Sequence, residues 1–440
     1  MQPLLLLAFL ALCPQTETQH ARASDLRKLD EWIEVERSFS DERRAEAHRA
    51  IAAHLERGDA FDDAAFYMEV RRIVALADNG HSNADDSPIH ERFGLLPLRT
   101  YWFSDGPRVV QAREAWRGLL GARIERIEGR PIAEVEAGLR AYCGGTVEYF
   151  RAYTEALLFL SPALMHAAGL AERPDRLRLA LTSRDGEALE KTVEVDRASS
   201  AFRARPWRYL SPAPIEGGEG WFAQAAGVEP PLWLRDEGEA FRYELLAGGQ
   251  VAYIQLRGNR DSGAKRIRDF AARTRERLEQ DHPRSIVLDN RANGGGDLTT
   301  TAEFALELPS WVQGGRVYVL TGNATFSAGI YTSFFPKASD PENTLVVGEL
   351  VGDRPEFWAE ASDAFLLPES GYALGYALER HDLLRGCTAP GCHMARHPAH
   401  WNLVVDTLEP DWPVAYAFAD FAAGRDPVLE RVLEAEAGAR

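Results

Sequence analysis

The chain has 440 residues and a formal net charge of −17, with 45% hydrophobic residues. That length supports two or three domains and a sizeable core, and it excludes a small scaffold held together by disulfides. The acidic balance excludes nucleic acid or an anionic membrane as the main partner, because both require a basic footprint.

Residues 4–12, LLLLAFLAL, are too short to span a bilayer but suit the apolar region of a secretory signal. Ala21-Arg22-Ala23 offers a small-x-small cleavage site, so residues 1–23 are expected to be a signal peptide. The expected location is periplasmic or extracellular. Cys13 sits in a lipoprotein-like setting, but the bulky Leu12 before it favours simple cleavage. No later stretch is long and apolar enough for stable membrane insertion.

Residues 24–95 carry helical apolar spacing. In FDDAAFYMEVRRIVALADN, the side chains of Phe66, Val70, Ile73, Val74 and Ala77 form one stripe, which predicts an amphipathic helix ending at Gly80. His81 follows directly. Residues 96–202 read as a short strand, a Gly129-Arg130-Pro131 turn, a helix and a hairpin through Asp185-Gly186, with a helical insertion over residues 148–169. Residues 203–238 are rich in Pro, Gly and Trp and read as a linker or arm. Trp207, Trp221 and Trp233 are candidates either for a cleft lining or for pinning that arm to the body.

From residue 239 to 440 strand and helix alternate: VAYIQLRG, DSGAKRIRDFAARTRERLEQ, SIVLDN, LTTTAEFALEL, RVYVLTG, SAGIYTSFF and NTLVVGEL. Such alternation predicts an α/β domain with parallel pairing and right-handed crossovers. Two turns should open on one sheet edge. Asn293-Gly294-Gly295-Gly296-Asp297 can present bare backbone N–H groups, and the turn after RVYVLTG places Ser327 at a helix start. A serine beside an anion-binding backbone is what acyl transfer requires.

The segments LDNRANGGGDL, VYVLTGNATFSAG and VVGELVGDRPEFWAE resemble the core of the C-terminal-processing serine peptidases, which include tail-specific proteases and the tricorn core. The shared features are an R-x-N-x-G-G loop, a nucleophile in a T-x-S-A turn, a V-G-E strand and a G-R-D-P-x-L-E tail. The resemblance implies a crotonase-like (ClpP/crotonase spiral) catalytic core, an N-terminal helical domain and a PDZ-like module over residues 96–202. It also implies Ser327 as nucleophile and, through the Asn-Gly-His-Ser segment that stands where tricorn-type relatives carry D-G-H-T, His81 as base. Asn79 and Ser82 depart from that pattern.

Some relatives use a lysine instead. Lys337 is the one lysine after Ser327, and at ~1.5 Å per residue it would lie roughly 15 Å along the helix, out of reach. Where the family's lysine would fall stand Val351, Gly352 and Asp353. Glu360 occupies the position of the family's glutamate and is nominated to orient His81, with Glu349 as the other candidate. Gly295 and Ala328, with Gly296 in reserve, are nominated for the oxyanion hole.

The expected function is an exported serine-type endopeptidase acting on peptide or protein substrates, with no cofactor and no metal at the site. The alternative is a catalytically silent binding protein for apolar ligands or peptides on the same scaffold. Cys387 and Cys392 enclose a short turn in CTAPGCHMARHPAH and are disulfide candidates, while the trailing His393, His397 and His400 keep a metal reading open. Oligomeric state is not legible in the sequence.

Overall fold

The computed structural model of the chain describes residues 14–197, 206–212, 220–361 and 363–438. The apolar run at residues 4–12 and Cys13 lie outside them. The expected cleavage motif falls inside the first helix, Pro14–Val35, where Arg22 Nη2 donates to Asp63 Oδ1 at 2.9 Å. Among the described residues no helix is long and apolar enough to cross a membrane.

Two further N-terminal helices follow, Asp41–Arg57 and Asp63–Ala75. Each is capped by a side chain at its start, Ser40 on Arg43 N and Asp62 on Ala65 N, which satisfies an otherwise orphaned amide. All five residues of the predicted stripe are buried. The third helix nevertheless stops at Ala75, five residues short of Gly80. Leu76, Ala77 and Asp78 tighten into turns that donate to Ile73, Val74 and Ala75, and Asp78 adopts a left-handed φ of 48°. This early stop turns the chain toward His81.

The middle of the chain builds an antiparallel sheet from Leu98–Phe103, Gly106–Arg113, Arg123–Ile127, Arg176–Thr182 and Ala188–Glu194, with the helix Ile132–Leu139 against it. Trp221–Ala223, expected within a plain arm, pairs as an edge strand with Gln111–Arg113. Trp221 and Trp233 are buried, and Arg99 lies 4.2 Å over the Trp221 ring, so these tryptophans pin the arm to the body.

The second sheet carries the site. Val251–Leu256, Ser285–Asp289, Val317–Thr321 and Thr344–Gly348 run parallel in sequence order, with Phe241–Leu246 antiparallel at one edge and Trp412–Pro413 at the other. Their continuous β-branched and aliphatic runs suit strands covered on both faces. Asp289 is paired with Leu320, so the loops after these two strands leave the same edge side by side.

Beneath that edge lies a buried ion network. Arg291 donates to Asp289 and to both oxygens of Asp426 at 2.8 Å, and Tyr253 Oη donates to Asp289 at 2.7 Å. Burial alone would lower the Arg291 pKa, but the two carboxylates hold it well above the usual value. Asp426 belongs to the G-R-D-P tail, which thereby braces the glycine loop. Asp426→Ala leaves Arg291 half-compensated and is expected to cost about 3 kcal/mol in urea unfolding. Arg425→Ala, which removes the neighbouring exposed pair with Asp420, is expected to leave the midpoint almost unchanged.

Candidate active site

Ser327 terminates the turn between Val317–Thr321 and the helix Ala328–Ser339. Its φ is +54°, a left-handed conformation that costs a non-glycine residue energy and is held only by its surroundings. Those surroundings are specific. Thr325 Oγ1 accepts from Gly322 N and donates to Asn290 O, and Phe326 N donates to Asn293 O at 3.0 Å. The Ser327 hydroxyl makes no capping bond to its helix and faces open space.

The glycine loop lies directly on this turn. A Cβ built on Gly295, whose φ is +92°, would stand 2.6 Å from Ser327 Cβ and 2.9 Å from Phe326 O. Asn293 fixes the loop from within: its Oδ1 accepts from Gly295 N at 3.0 Å and its Nδ2 donates to Asn259 Oδ1 at 2.8 Å. Asn259 in turn donates to Thr301 and Thr332, both at 2.7 Å. The Gly295 amide is therefore committed to Asn293 within the loop. Ala328 opens the helix and has no intrahelical acceptor. Gly296 N lies on the face of the loop opposite its pairing with Asn259 and lines both cavities that flank Ser327.

His81 is brought to Ser327 by the N-terminal body. Its ring stacks at 4.3 Å on Phe326, the residue preceding the serine, and at 5.5 Å on Phe357. His81 and Ser327 line one cavity of about 590 Å³. Neither ring nitrogen has a hydrogen-bond partner, so the imidazole is not bonded to the Ser327 hydroxyl in this structure. Unliganded sites often hold such pairs loosely.

The carboxylate within ion-pair range of His81 is Asp353, not Glu360: Asp353 Oδ2 lies 3.6 Å from His81 Nδ1 and has no other partner. Burial depresses the His81 pKa to about 3 and raises that of Asp353 to about 7. Glu360 borders the same cavity but turns its Oε1 toward His381 Nε2 and His393 Nδ1, each at 3.8 Å. Glu349 is half-buried elsewhere, where its Oε1 accepts from Tyr416 N. Lys337 is committed to Asp411 and Thr344 O at the far end of its helix. Cys387 and Cys392 are joined by a disulfide, and His400 pairs with Glu303 at 2.8 Å.

The departures at Asn79 and Ser82 have a structural use. Asn79 Nδ2 donates to Ser82 Oγ, which donates to Glu36 Oε2 at 2.7 Å, and the same oxygen accepts from Ala377 N. Glu36 lies just past the first helix. No motif in the sequence links these positions.

Against solved structures, the chain matches mature CPAF complexed with lactacystin at 13% identity, covering 94% of this chain and 98% of that one with a TM-score of 0.55. A CPAF mutant matches at 12% identity, 94% and 97% coverage and a TM-score of 0.56. In fold, this chain is similar to CPAF. The photosystem II D1 C-terminal processing protease aligns over 92% of this chain at 11% identity, with a TM-score of 0.40 that carries no weight. No family model and no curated protein matches the sequence.

The contact between Gly295 and Ser327 yields a direct test. Gly295→Ala forces a Cβ into Ser327 and into a positive φ, and is expected to destabilise the chain by roughly 1–3 kcal/mol and to abolish labelling of Ser327 by an active-site probe. Gly314→Ala, also at positive φ but with open space around it, is expected to keep the labelling.

Proposed function

We propose that this chain is a serine peptidase in which Ser327 attacks a peptide carbonyl, His81 takes and returns the proton, and Asp353 orients His81. The carrying observation is the stack of His81 on Phe326, which ties the imidazole to the residue beside Ser327 while Asp353 stands 3.6 Å behind it. The fold shared with CPAF supports the reading, as does the resemblance of the motifs to C-terminal-processing peptidases. In this reading residues 239–440 form the crotonase-like catalytic core and residues 96–202 the PDZ-like module. Export is part of the reading and rests on the apolar run at residues 4–12.

Serine is a weak nucleophile until a base removes its proton. Burial keeps His81 neutral across the physiological range, so its nitrogens are free to accept, and the proton affinity that burial removes is restored by an ionised Asp353. As it accepts the proton, the imidazolium needs a counter-charge, and Asp353 Oδ2 is placed to supply it. On the opposite side, the amides of Ala328 and Gly296 and the N-terminal end of the helix Ala328–Ser339 receive the negative charge on the carbonyl oxygen. Collapse of the tetrahedral species releases the amine with the proton from His81, and water then repeats the sequence on the acyl-enzyme.

A fluorophosphonate is expected to label the wild type, to give no adduct with Ser327→Ala, and to react roughly 10³-fold or more slowly with His81→Ala. An unlabelled wild type that binds apolar ligands tightly would establish the silent binding protein instead.

The rate of acylation is also expected to rise with pH through about 7, because protonated Asp353 cannot balance an imidazolium and its ionised form can. Asp353→Asn should remove that limb and slow the reaction by roughly 10²–10⁴-fold, whereas Glu360→Gln should slow it less than about tenfold. The reverse ranking of the two variants would return the orienting role to Glu360.

A further inference from the structure

On the other side of Ser327 lies a second cavity, of about 400 Å³, bordered by Glu360, His381, His393 and His397. The peptidase reading uses none of these four side chains. They come together because two short elements are clipped to each other. The strand Glu356–Ala359 pairs antiparallel with Glu379–Asp382, which sets Phe357 opposite His381 and leaves Glu360 at the strand end. Arg380 N donates to Gly391 O, and the disulfide between Cys387 and Cys392 closes the loop that delivers His393. The rings of His381 and His393 then stack at 4.8 Å.

The donors are prepared for a cation. His381 is buried, its Nδ1 engages the Tyr331 hydroxyl at 2.9 Å, and its Nε2 has no partner within the protein. That leaves Nε2 aimed at Glu360 Oε1, 3.8 Å away. His393 Nδ1 stands 3.8 Å from the same oxygen and is held by Glu379 Oε2 at 2.8 Å; a carboxylate commonly engages the non-ligating nitrogen of a metal-bound imidazole, so Nε2 is the His393 nitrogen left for the cation. One donor atom from each of Glu360, His381 and His393 lies within 4.8 Å of the others. Ligands on a tetrahedral zinc, bonded at about 2.0–2.2 Å, are roughly 3.4 Å apart, so the set draws in by up to about 1.4 Å when it closes on the ion. Glu360 also holds a φ of +64°, a strained conformation that aims its carboxylate into the cluster.

We propose that Glu360, His381 and His393 form a binding site for a divalent transition-metal ion of the zinc class, with its remaining coordination position open to the cavity that Ser327 lines. Two imidazoles and one carboxylate form a borderline donor set, suited to zinc and unsuited to calcium or magnesium. Cys387 and Cys392 are consumed by the disulfide and serve only to place His393. The site stands independently of the peptidase reading, since binding requires neither Ser327 nor His81.

The test is Zn²⁺ titration of the full-length folded protein by isothermal calorimetry after dialysis against a chelator. One ion per chain is expected. Glu360→Gln and His393→Ala should each weaken binding roughly tenfold or more, while His400→Ala, on the same segment but paired with Glu303, should leave it unchanged. Glu360→Gln changes a partly exposed side chain by one atom, and its unfolding midpoint serves as the check that the fold is retained. No stoichiometric Zn²⁺ uptake by the wild type overturns the proposal, as does an affinity unchanged in both Glu360→Gln and His393→Ala.

Discussion

The site depends on one close backbone approach: the glycine loop resting against the Phe326-Ser327-Ala328 turn. With 2.6 Å between a hypothetical Gly295 Cβ and Ser327 Cβ, any larger residue would push the turn away. The approach is possible because the parallel register pairs Asp289 with Leu320, so that both loops emerge at one level. It is maintained because each loop is held from a different direction. Arg291 anchors the glycine loop from below through Asp289 and Asp426, Asn293 and Asn259 hold it from the side, and Thr325 bonds the serine turn back to Asn290. The left-handed Ser327 is thus imposed by neighbours that have already paid for their own order through buried hydrogen bonds.

Much of this was legible in the sequence, because strand and helix periodicity are local. The six alternating strands and helices from Val251 to Ser339 appear where alternation of β-branched runs and helical patterns places them, and the T-x-S-A and R-x-N-x-G-G segments mark the two loops. What escaped is tertiary. The helix bearing Phe66 and Val70 was expected to run to Gly80, since glycine is a common stop signal, but the turn at Asp78 ends it first, with Arg354 bonded to Asp78 O at 2.8 Å. Asn79 and Ser82 looked like erosion of a catalytic motif and instead share a buried network with Glu36, over forty residues earlier. Asp353 stands where relatives carry a lysine, and nothing along the chain says that a carboxylate there would face an imidazole from another part of the sequence. The run CTAPGCHMARHPAH left disulfide and metal readings open as rivals. In the structure the cysteines are bonded to each other, and the partners of His393 come from a separate hairpin.

A chain of rings connects the two flanks of the serine. His81 stacks on Phe357, Phe357 on His381 at 4.5 Å, and His381 on His393. Phe357 therefore packs against His81 on one side and against the histidine cluster on the other.

Burial of the His81 ring nitrogens and of Asp353 governs where the proton rests. In water an imidazole would hold a proton more readily than a carboxyl group, but burial reverses the order here, placing His81 near 3 and Asp353 near 7. Below about pH 7 neither member is charged, which avoids the several kcal/mol that an isolated buried ion costs; above it Asp353 is ionised, the form the reaction uses. The same low dielectric strengthens the attraction between imidazolium and carboxylate once they are formed together. The 3.6 Å gap between Nδ1 and Oδ2 leaves that attraction unrealised at rest. Once Asp353 is ionised, its attraction for the imidazole grows at the moment the serine proton moves, which is the requirement for accelerating a reaction rather than merely binding its substrate.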